Sequence, residues 1–183
     1  SLDSADPLFL SVGRLERNKG FQILLKALAQ TKGLPSTWHL ILGGSGSMLA
    51  ELKQVASSEG IASHVTFANQ IATEDMDCLY QTADIFIHPS LYEGSSIVTL
   101  EAMMNGLPVI ATTVGGLPDK VHAENGWLIP PNDATALSKA IMQAWEARDK
   151  WKGMGKESQR IVNEQFTWDR AAELFLATFR QHR

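Results

Sequence analysis

The sequence is poor in two features that restrict the class of protein. Its 183 residues include one cysteine, Cys78, which excludes an internal disulfide and a cysteine-rich metal site. No apolar run approaches the roughly 18 residues of a membrane-spanning helix, and we expect a cytoplasmic protein whose intact form is at most peripheral to the inner membrane. Because residues 1–4 contain neither an initiating methionine nor a signal-peptide pattern, we expect the chain to be a piece of a longer protein.

An excess of basic residues is also absent. The chain has 16 Lys and Arg against 20 Asp and Glu, a formal net charge of -4, so we expect neither nucleic acid nor an anionic membrane surface as a partner. The histidines lack a spacing that gathers metal ligands on one turn, and we predict no metal site. The five tryptophans are not interleaved with basic residues, which indicates packing rather than base stacking.

Short apolar runs alternate with stretches of helical periodicity. Six runs have the length of a buried strand, at residues 8–12, 38–42, 64–68, 84–88, 108–112 and 127–129. Apolar residues with the spacing of an amphipathic helix follow the first run, at positions 21, 24, 25 and 28, and the second, at positions 49, 52 and 56. The alternation predicts an α/β fold, with a doubly wound, Rossmann-like parallel sheet of about six strands and helices on both faces. Ligands of such sheets bind beyond the carboxyl ends of the strands.

Capping residues mark the ends of several predicted helices. Gly106 stands just after the apolar helical stretch 97–105, where a glycine ends a helix well. Asp133 and Thr167 are predicted N-caps of two helices in the C-terminal part of the chain, the last of which carries Leu174, Phe175 and Phe179. Without an internal repeat, a low-complexity tract or a linker, residues 1–183 are predicted to form one domain.

The segment after the first predicted strand delivers Gly13, Arg14 and Lys19 to the start of a helix. An arginine can fork onto phosphate oxygens, a lysine adds a point charge, and the free amides of a helix start attract anions. The segment therefore suits an anionic ligand. A glycine turn with solvated surface cations has the same composition and is the alternative.

A second segment, residues 93–101, follows the fourth predicted strand. Its small residues Gly94, Ser95 and Ser96 stand at a predicted helix start, where free amides allow a pyrophosphate to approach closely. Glu93 and Glu101 are up to about 12 Å apart along a helix, further than the roughly 5 to 9.5 Å of a hydrolytic carboxylate pair. The two glutamates therefore suit opposite ends of a long ligand such as a nucleotide-sugar. The alternative is a loop carboxylate and a solvated helix residue.

Two other segments imitate known site motifs. Residues 44–46, Gly-Ser-Gly, begin like a dinucleotide fingerprint, but Leu49 replaces its third glycine and His64 its acidic ribose ligand. Asp75 and Asp77 imitate a metal-binding acidic pair, yet acidic residues at a predicted helix start suit the helix dipole. We therefore predict neither a dehydrogenase site nor a metal site here.

The order of the motifs resembles that of a known enzyme family. Matching segments extend along nearly the whole chain, at residues 12–15, 19–20, 44–46, 84–90, 93–103, 106–111, 115–116 and 126–130. The pattern is similar to the C-terminal, donor-binding domain of the family 4 (group 1) retaining glycosyltransferases, one half of a GT-B fold. Ser95 and Ser96 stand where many relatives have an aromatic residue and a glycine, which leaves the donor sugar unassigned.

The resemblance implies a role for each candidate residue. Arg14 and Lys19 would hold the donor diphosphate and neutralise the leaving group, and with Glu93, which would meet the transferred sugar, they form the catalytic set. Glu101 would accept hydrogen bonds from the ribose hydroxyls. Asn69 and Ile71 would lie near the base. The remaining donor-binding residues would be Gly13, Gly44 and the backbone amides of Gly94, Ser95, Ser96, Ile97 and Val98.

The resemblance also implies an activity and a partner domain. It implies transfer of a hexose-type sugar from a UDP-, GDP- or ADP-linked donor to an acceptor, in polysaccharide biosynthesis, with retention of configuration and without a cofactor or an obligatory metal. The family requires an N-terminal acceptor domain, which the sequence lacks, so we expect the chain to be inactive alone. Two alternatives stay open, a non-catalytic nucleotide-sugar-binding module and a sugar-nucleotide epimerase of similar fold.

Overall fold

A computed structural model describes residues 6–69 and 71–181, except for the side chains of Thr73, Leu174, Phe179, Arg180 and Gln181. The strands in this part of the chain are β1 (Leu8–Val12), β2 (His39–Gly43), β3 (Val65–Ala68), β4 (Ile85–His88), β5 (Val109–Thr112) and β6 (Gly126–Ile129). The α-helices are α1 (Phe21–Gln30), α2 (Leu49–Ser58), α3 (Thr73–Thr82), α4 (Ile97–Met104), α5 (Ala134–Glu146), α6 (Trp151–Gln165) and α7 (Trp168–Gln181). All six predicted strands are present, each within one residue of its predicted bounds.

The strands form one parallel sheet in the order β3-β2-β1-β4-β5-β6. In chain order, β1, β2 and β3 extend from the centre of the sheet to one edge, and β4, β5 and β6 extend from the centre to the other. The predicted doubly wound α/β fold is therefore confirmed. Because the strand order reverses between β1 and β4, a crevice for ligands opens between the loops that follow these two strands.

The core consists of two layers, one on each face of the sheet. Phe9 of β1 packs in the layer that includes apolar residues of α1, α2 and α5, whereas its neighbour Leu10 packs in the layer with α4 and α6. Both side chains are fully buried. A parallel strand covered on both faces has no solvated side, which explains why residues 8–12 lack the alternation of a surface strand.

The predicted caps are present. The Asp133 carboxylate accepts a hydrogen bond of 2.8 Å from the Ala136 amide at the start of α5, and the Thr167 hydroxyl accepts one of 3.2 Å from Arg170 in α7. Gly106 follows α4 with a positive φ of 79°. The side chains of Leu174 and Phe179, predicted on the apolar face of α7, lie outside the described residues.

The tryptophans are not all packing residues. Trp38 is buried beside Phe9 in the core, as predicted, but Trp168 at the start of α7 is 92% exposed. The packing prediction was wrong for Trp168, because α7 presents this residue to solvent and not to the sheet layers. None of the helices described is long and apolar enough to span a membrane.

Candidate functional site

The loops after β1 and β4 meet at the carboxyl end of the sheet, where the strand order reverses. The first loop includes one turn of 3-10 helix at Arg17–Lys19 and leads into α1. The Leu91 amide of the second loop donates a hydrogen bond of 2.8 Å to the Asn18 carbonyl. This backbone contact fixes the distance between the loops and brings Lys19 to face the second loop.

Glu93 is the centre of the contacts between these loops. Its Oε2 atom accepts hydrogen bonds from Lys19 Nζ at 2.7 Å, His88 Nε2 at 2.9 Å and Ser90 Oγ at 3.3 Å. The Lys19 and Glu93 side chains are only 16% and 12% exposed. In the described part of the chain these contacts all fall on Oε2, so Oε1 is left for a ligand.

His88 is neutral and donates to Glu93. Burial lowers the pKa of His88, and the adjacent Glu93 carboxylate only partly opposes that effect. A carboxylate accepts hydrogen bonds and cannot donate, so the hydrogen of the neutral ring is on Nε2. Nδ1 is then a buried acceptor without a partner among the described residues. His88 is therefore a hydrogen-bonding residue of the site.

The hydrogen bonds keep Glu93 ionised. The His88 hydrogen bond first, and then the Lys19 ammonium, lower the pKa of Glu93 from 4.5 to about 2, against the opposing effect of burial. A carboxyl group with such a pKa holds no proton near neutral pH. Glu93 can accept hydrogen bonds and stabilise positive charge there, but it cannot serve as a general acid.

The loop between β5 and β6 packs against the backbone of Glu93 and Gly94. The Gly116 amide donates a hydrogen bond of 2.8 Å to the Gly94 carbonyl. Gly115 has a φ of 53°, and a Cβ at this position would lie 1.8 Å from the Glu93 carbonyl oxygen. Only glycine can occupy this position without displacing the backbone that carries Glu93.

The start of α4 presents backbone amides next to Glu93. Ser96 is the N-cap, and its Oγ accepts hydrogen bonds from the amide and the hydroxyl of Thr99 at 3.3 and 2.8 Å. The Ser96 side chain is therefore engaged in the cap and buried, and its contribution to an anion site is limited to its backbone. Ile97 is exposed in the first turn, where amides have no acceptor within the helix.

Glu101 lies one turn further along α4 and is held by a residue that the sequence did not indicate. Its Oε2 accepts a hydrogen bond of 2.8 Å from the hydroxyl of Tyr80, whose ring is buried against Phe86. Burial and the Glu101 carboxylate raise the pKa of Tyr80, which keeps the hydroxyl protonated as a donor. The Glu101 carboxylate itself is exposed and faces solvent from a fixed position.

A cleft of about 270 Å³ lies beside this site and contains several of the predicted residues. It is lined by Val12, Gly13, Arg14, Gly44, Ser45, Ile71 and Met76. Gly44 has a φ of 132°, and a Cβ there would lie 1.9 Å from the Gly13 carbonyl oxygen. A glycine at this position therefore allows the loop after β2 to contact the loop after β1 closely. Asn69 is exposed outside this lining, and Gln70, between the two residues predicted near the base, lies outside the described residues.

The sequence did not indicate Tyr80, Ser90 or Lys120. Ser90 is three positions before Glu93, and a polar residue so close to a strand end was the available signal. Tyr80 contacts Glu101, 21 positions away, and Lys120 contacts Ser95, 25 positions away; no local sequence pattern indicates such contacts.

Within the described ranges, no three His, Cys, Asp or Glu side chains converge as metal ligands do. The absence of an obligatory metal stays a prediction.

A Rossmann-like sheet with cations and helix amides at its switch point is typical of domains that bind nucleotides. A family model described as glycosyl transferases group 1 matches residues 1–161. The chain belongs to this family.

Relatives and solved structures agree with the family. A GDP-mannose-dependent alpha-(1-6)-phosphatidylinositol monomannoside mannosyltransferase of Mycobacterium tuberculosis is 31% identical over 91% of this chain and 45% of its own length. Sucrose-phosphate synthase of Thermosynechococcus elongatus superposes with a TM-score of 0.83 at 35% identity, over 96% of this chain and 45% of that one. HepE of Anabaena, solved in complex with UDP-glucose, superposes with a TM-score of 0.84 at 28% identity, over 96% and 49%. The chain thus spans a little under half the length of these proteins, and its fold matches GT-B glycosyltransferases.

Proposed function

We propose that the chain is the C-terminal, donor-binding domain of a family 4 retaining glycosyltransferase, with the acceptor domain in the N-terminal half of the intact protein. The donor is a hexose linked to UDP, GDP or ADP. The similarity to glycosyltransferases along a little under half of their length supports this placement, as does the neighbour solved with UDP-glucose. The domain binds its donor alone and transfers sugar only with its partner domain.

The observation that carries the proposal is the meeting of Lys19 and Glu93 at 2.7 Å across the crevice. Two loops that are 74 positions apart place a cation, a carboxylate and the start of α4 at the one point where this sheet type binds ligands. The diphosphate lies between Arg14, Lys19 and the first amides of α4. The transferred sugar meets Glu93 through the free Oε1 atom.

The remaining donor sites follow from this position. The cleft lined by Arg14 and Ile71 takes the nucleoside, and Glu101, fixed by Tyr80, accepts hydrogen bonds from the ribose. As the bond to the leaving phosphate breaks, negative charge grows on the diphosphate, and preorganised cations and amides stabilise it. Because Glu93 stays ionised, its role is to position the sugar and not to transfer a proton.

Titration calorimetry of the chain with UDP, GDP and ADP tests the proposal. At least one nucleotide binds, and Arg14→Ala and Lys19→Ala each weaken that binding by about tenfold, the loss expected for one charge-assisted hydrogen bond. Arg17→Ala is the matched control, since Arg17 lies in the same loop but is 69% exposed and pairs with Glu51. Equal affinities for all variants would mean that the diphosphate is not bound here.

The reaction itself needs the intact protein. Supplied with a panel of sugar nucleotides and an acceptor, it forms a product whose anomeric configuration, observed by NMR, is that of the donor. Inversion would contradict the retaining assignment. Conversion of the sugar without an acceptor would instead identify an epimerase, and binding without any conversion a non-catalytic module.

A further inference from the structure

The loop between β5 and β6 carries a buried lysine that the proposed donor contacts do not use. Lys120 is 1% exposed, and its ammonium group donates a hydrogen bond of 2.9 Å to Ser95 Oγ. The amine lies next to the contact between Gly116 and Gly94, the contact that joins this loop to the loop after β4. A Cβ on Gly116 would be 3.9 Å from Lys120 Nζ and 3.2 Å from the Gly94 carbonyl oxygen. The amine therefore reaches the site from inside the protein.

The charge of Lys120 has no counterion within ion-pair distance among the described residues. Within residues 6–69 and 71–181, its amine makes no ion pair within 4.0 Å, and its contacts are the neutral Ser95 hydroxyl and the ring of Phe166 at 5.7 Å. Two carboxylates, those of Glu93 and Asp119, act on the amine from a greater distance, and Glu93 already pairs with Lys19. A buried ammonium group with one neutral acceptor is costly for a folded protein. Burial accordingly lowers the pKa of Lys120.

The hydrogen bond to Lys120 fixes what the Ser95 hydroxyl can do. An ammonium group only donates, so Ser95 Oγ is the acceptor and its own hydrogen is directed elsewhere. Ser95 is exposed beside Glu93 and the first amides of α4. The result is a hydroxyl donor, polarised by a positive charge behind it, that faces the crevice. Such a donor suits an oxyanion.

We propose that Lys120 and Ser95 form an oxyanion-binding pair for the donor, in which Ser95 touches the ligand and Lys120 is its positioning residue. The oxyanion is either the β-phosphate of the nucleotide or a carboxylate on the transferred sugar. The inference rests on the proposed donor site and adds a group to it. It also implies that a bound oxyanion compensates the buried positive charge of Lys120.

The test is a double-mutant cycle in affinity, with Ser95→Ala, Lys120→Met and the double variant titrated by calorimetry. UDP, UDP-glucose, UDP-glucuronate and UMP are the probes, with GDP and ADP run in parallel. Each single variant weakens binding by about tenfold and the double variant by no more, because the two residues act as one donor. Ser95→Thr, which keeps the hydroxyl, retains wild-type affinity. Lys53→Met and Ser57→Ala, both exposed on α2, are matched controls without effect.

The probes distinguish the source of the oxyanion. A loss for UDP but not for UMP identifies the β-phosphate, and a loss for UDP-glucuronate alone identifies the sugar carboxylate. A merely structural role for Lys120 predicts a lower melting temperature of the ligand-free Lys120→Met chain, whereas we expect an equal or higher one because a buried charge is removed.

Two outcomes overturn the pair, and they differ from failure of the donor site. Unchanged affinity of Ser95→Ala for every probe overturns it even if Lys120→Met does not fold, because Ser95 is exposed and its truncation is mild. Additive losses in the double variant also overturn it. If the wild-type chain binds no nucleotide, the proposed function fails. If the wild-type chain binds a nucleotide, and Lys19→Ala weakens binding while Ser95→Ala and Lys120→Met do not, only the oxyanion-binding pair fails.

Discussion

The ion pair of Lys19 and Glu93 is predicted to stabilise the ligand-free fold through mutual pairing and not through two independent contacts. Both side chains are largely removed from solvent, so the loss of either partner leaves a charge with poor hydration. The fall in the pKa of Glu93 from 4.5 to about 2 is caused first by the His88 hydrogen bond and then by the Lys19 ammonium. It corresponds to an upper value of about 3 kcal/mol for all the contacts of Glu93 together. Lys19 supplies the smaller share, and with solvent screening at the rim of a crevice its coupling to Glu93 is about 1 kcal/mol.

A double-mutant cycle measures this coupling. Lys19→Met lowers the free energy of unfolding by about 1 kcal/mol, and Glu93→Gln by about 2 kcal/mol because it also weakens the hydrogen bond with His88. The double variant lowers it by about 2 kcal/mol and not by about 3. Each kcal/mol lost lowers the melting temperature by about 2 to 4 °C for a domain of this size. Urea unfolding followed by tryptophan fluorescence at neutral pH gives the four free energies.

The exposed pair of Arg17 and Glu51 supplies the matched control. Its side chains are 69% and 47% exposed, so the same cycle with Arg17→Met and Glu51→Gln gives a coupling below about 0.5 kcal/mol. Additive losses in the buried pair, or a coupling as small as that of the control, would contradict the predicted effect of burial.

The pH dependence provides a second check on the same pair. Because the folded-state pKa of Glu93 is below its ordinary value, its contribution is complete above pH 4.5 and is lost as the pH falls toward 2. The difference in unfolding free energy between wild type and Glu93→Gln therefore narrows over this range. A difference that stays constant from neutral to acidic pH would contradict the ionised pair.

Three further predictions concern the same site. Glu101→Gln removes the preference for a ribonucleotide over its 2′-deoxy form, because this carboxylate is the proposed acceptor for the ribose; paired calorimetric titrations measure the two affinities. His88→Asn flattens the loss of stability below pH 6.5, because burial keeps the folded wild-type ring neutral while the unfolded chain binds a proton; urea unfolding at several pH values gives the slope. Gly115→Ala lowers the free energy of unfolding by about 2 kcal/mol and weakens nucleotide binding by displacing Glu93, whereas Gly153→Ala in open space on α6 raises stability by about 0.5 kcal/mol.

Each of these predictions has a contradicting result. The ribose assignment fails if Glu101→Gln keeps the full preference for the ribonucleotide. The assignment of a buried, neutral His88 ring fails if the stability of His88→Asn falls as steeply below pH 6.5 as that of wild type. The steric role of Gly115 fails if its alanine variant is as mild as that of Gly153.

The fold was predictable because its determinants are local in the sequence. Residues 8–12 are a nearly continuous apolar run, buried on both faces of β1, and the helical spacing after them is the apolar face of α1, so strand, helix and sheet type follow from periodicity. Which strands are neighbours is not a local property. The adjacency of β1 and β4, which creates the crevice, arises only when the layers pack.

The site was predictable only in part for a similar reason. Arg14, Lys19, Glu93 and Glu101 stand near strand ends and helix starts, where residue type and position indicate a ligand. The ion pair between Lys19 and Glu93 depends on the sheet order, and the sequence suggested two separate roles instead. The wrong prediction for Trp168 has another cause, since helical spacing does not show which face of a terminal helix the sheet layers cover.

A crystal structure of the chain with bound nucleoside diphosphate shows directly whether the crevice between the loops after β1 and β4 binds the donor. The diphosphate is predicted between Arg14, Lys19 and the first amides of α4, with the base in the cleft beside Ile71 and the ribose at Glu101. In that complex Lys19 Nζ turns from Glu93 toward phosphate oxygens. A nucleotide bound elsewhere on the domain, or bound here with Arg14 and Lys19 both out of reach of the phosphates, would contradict the account.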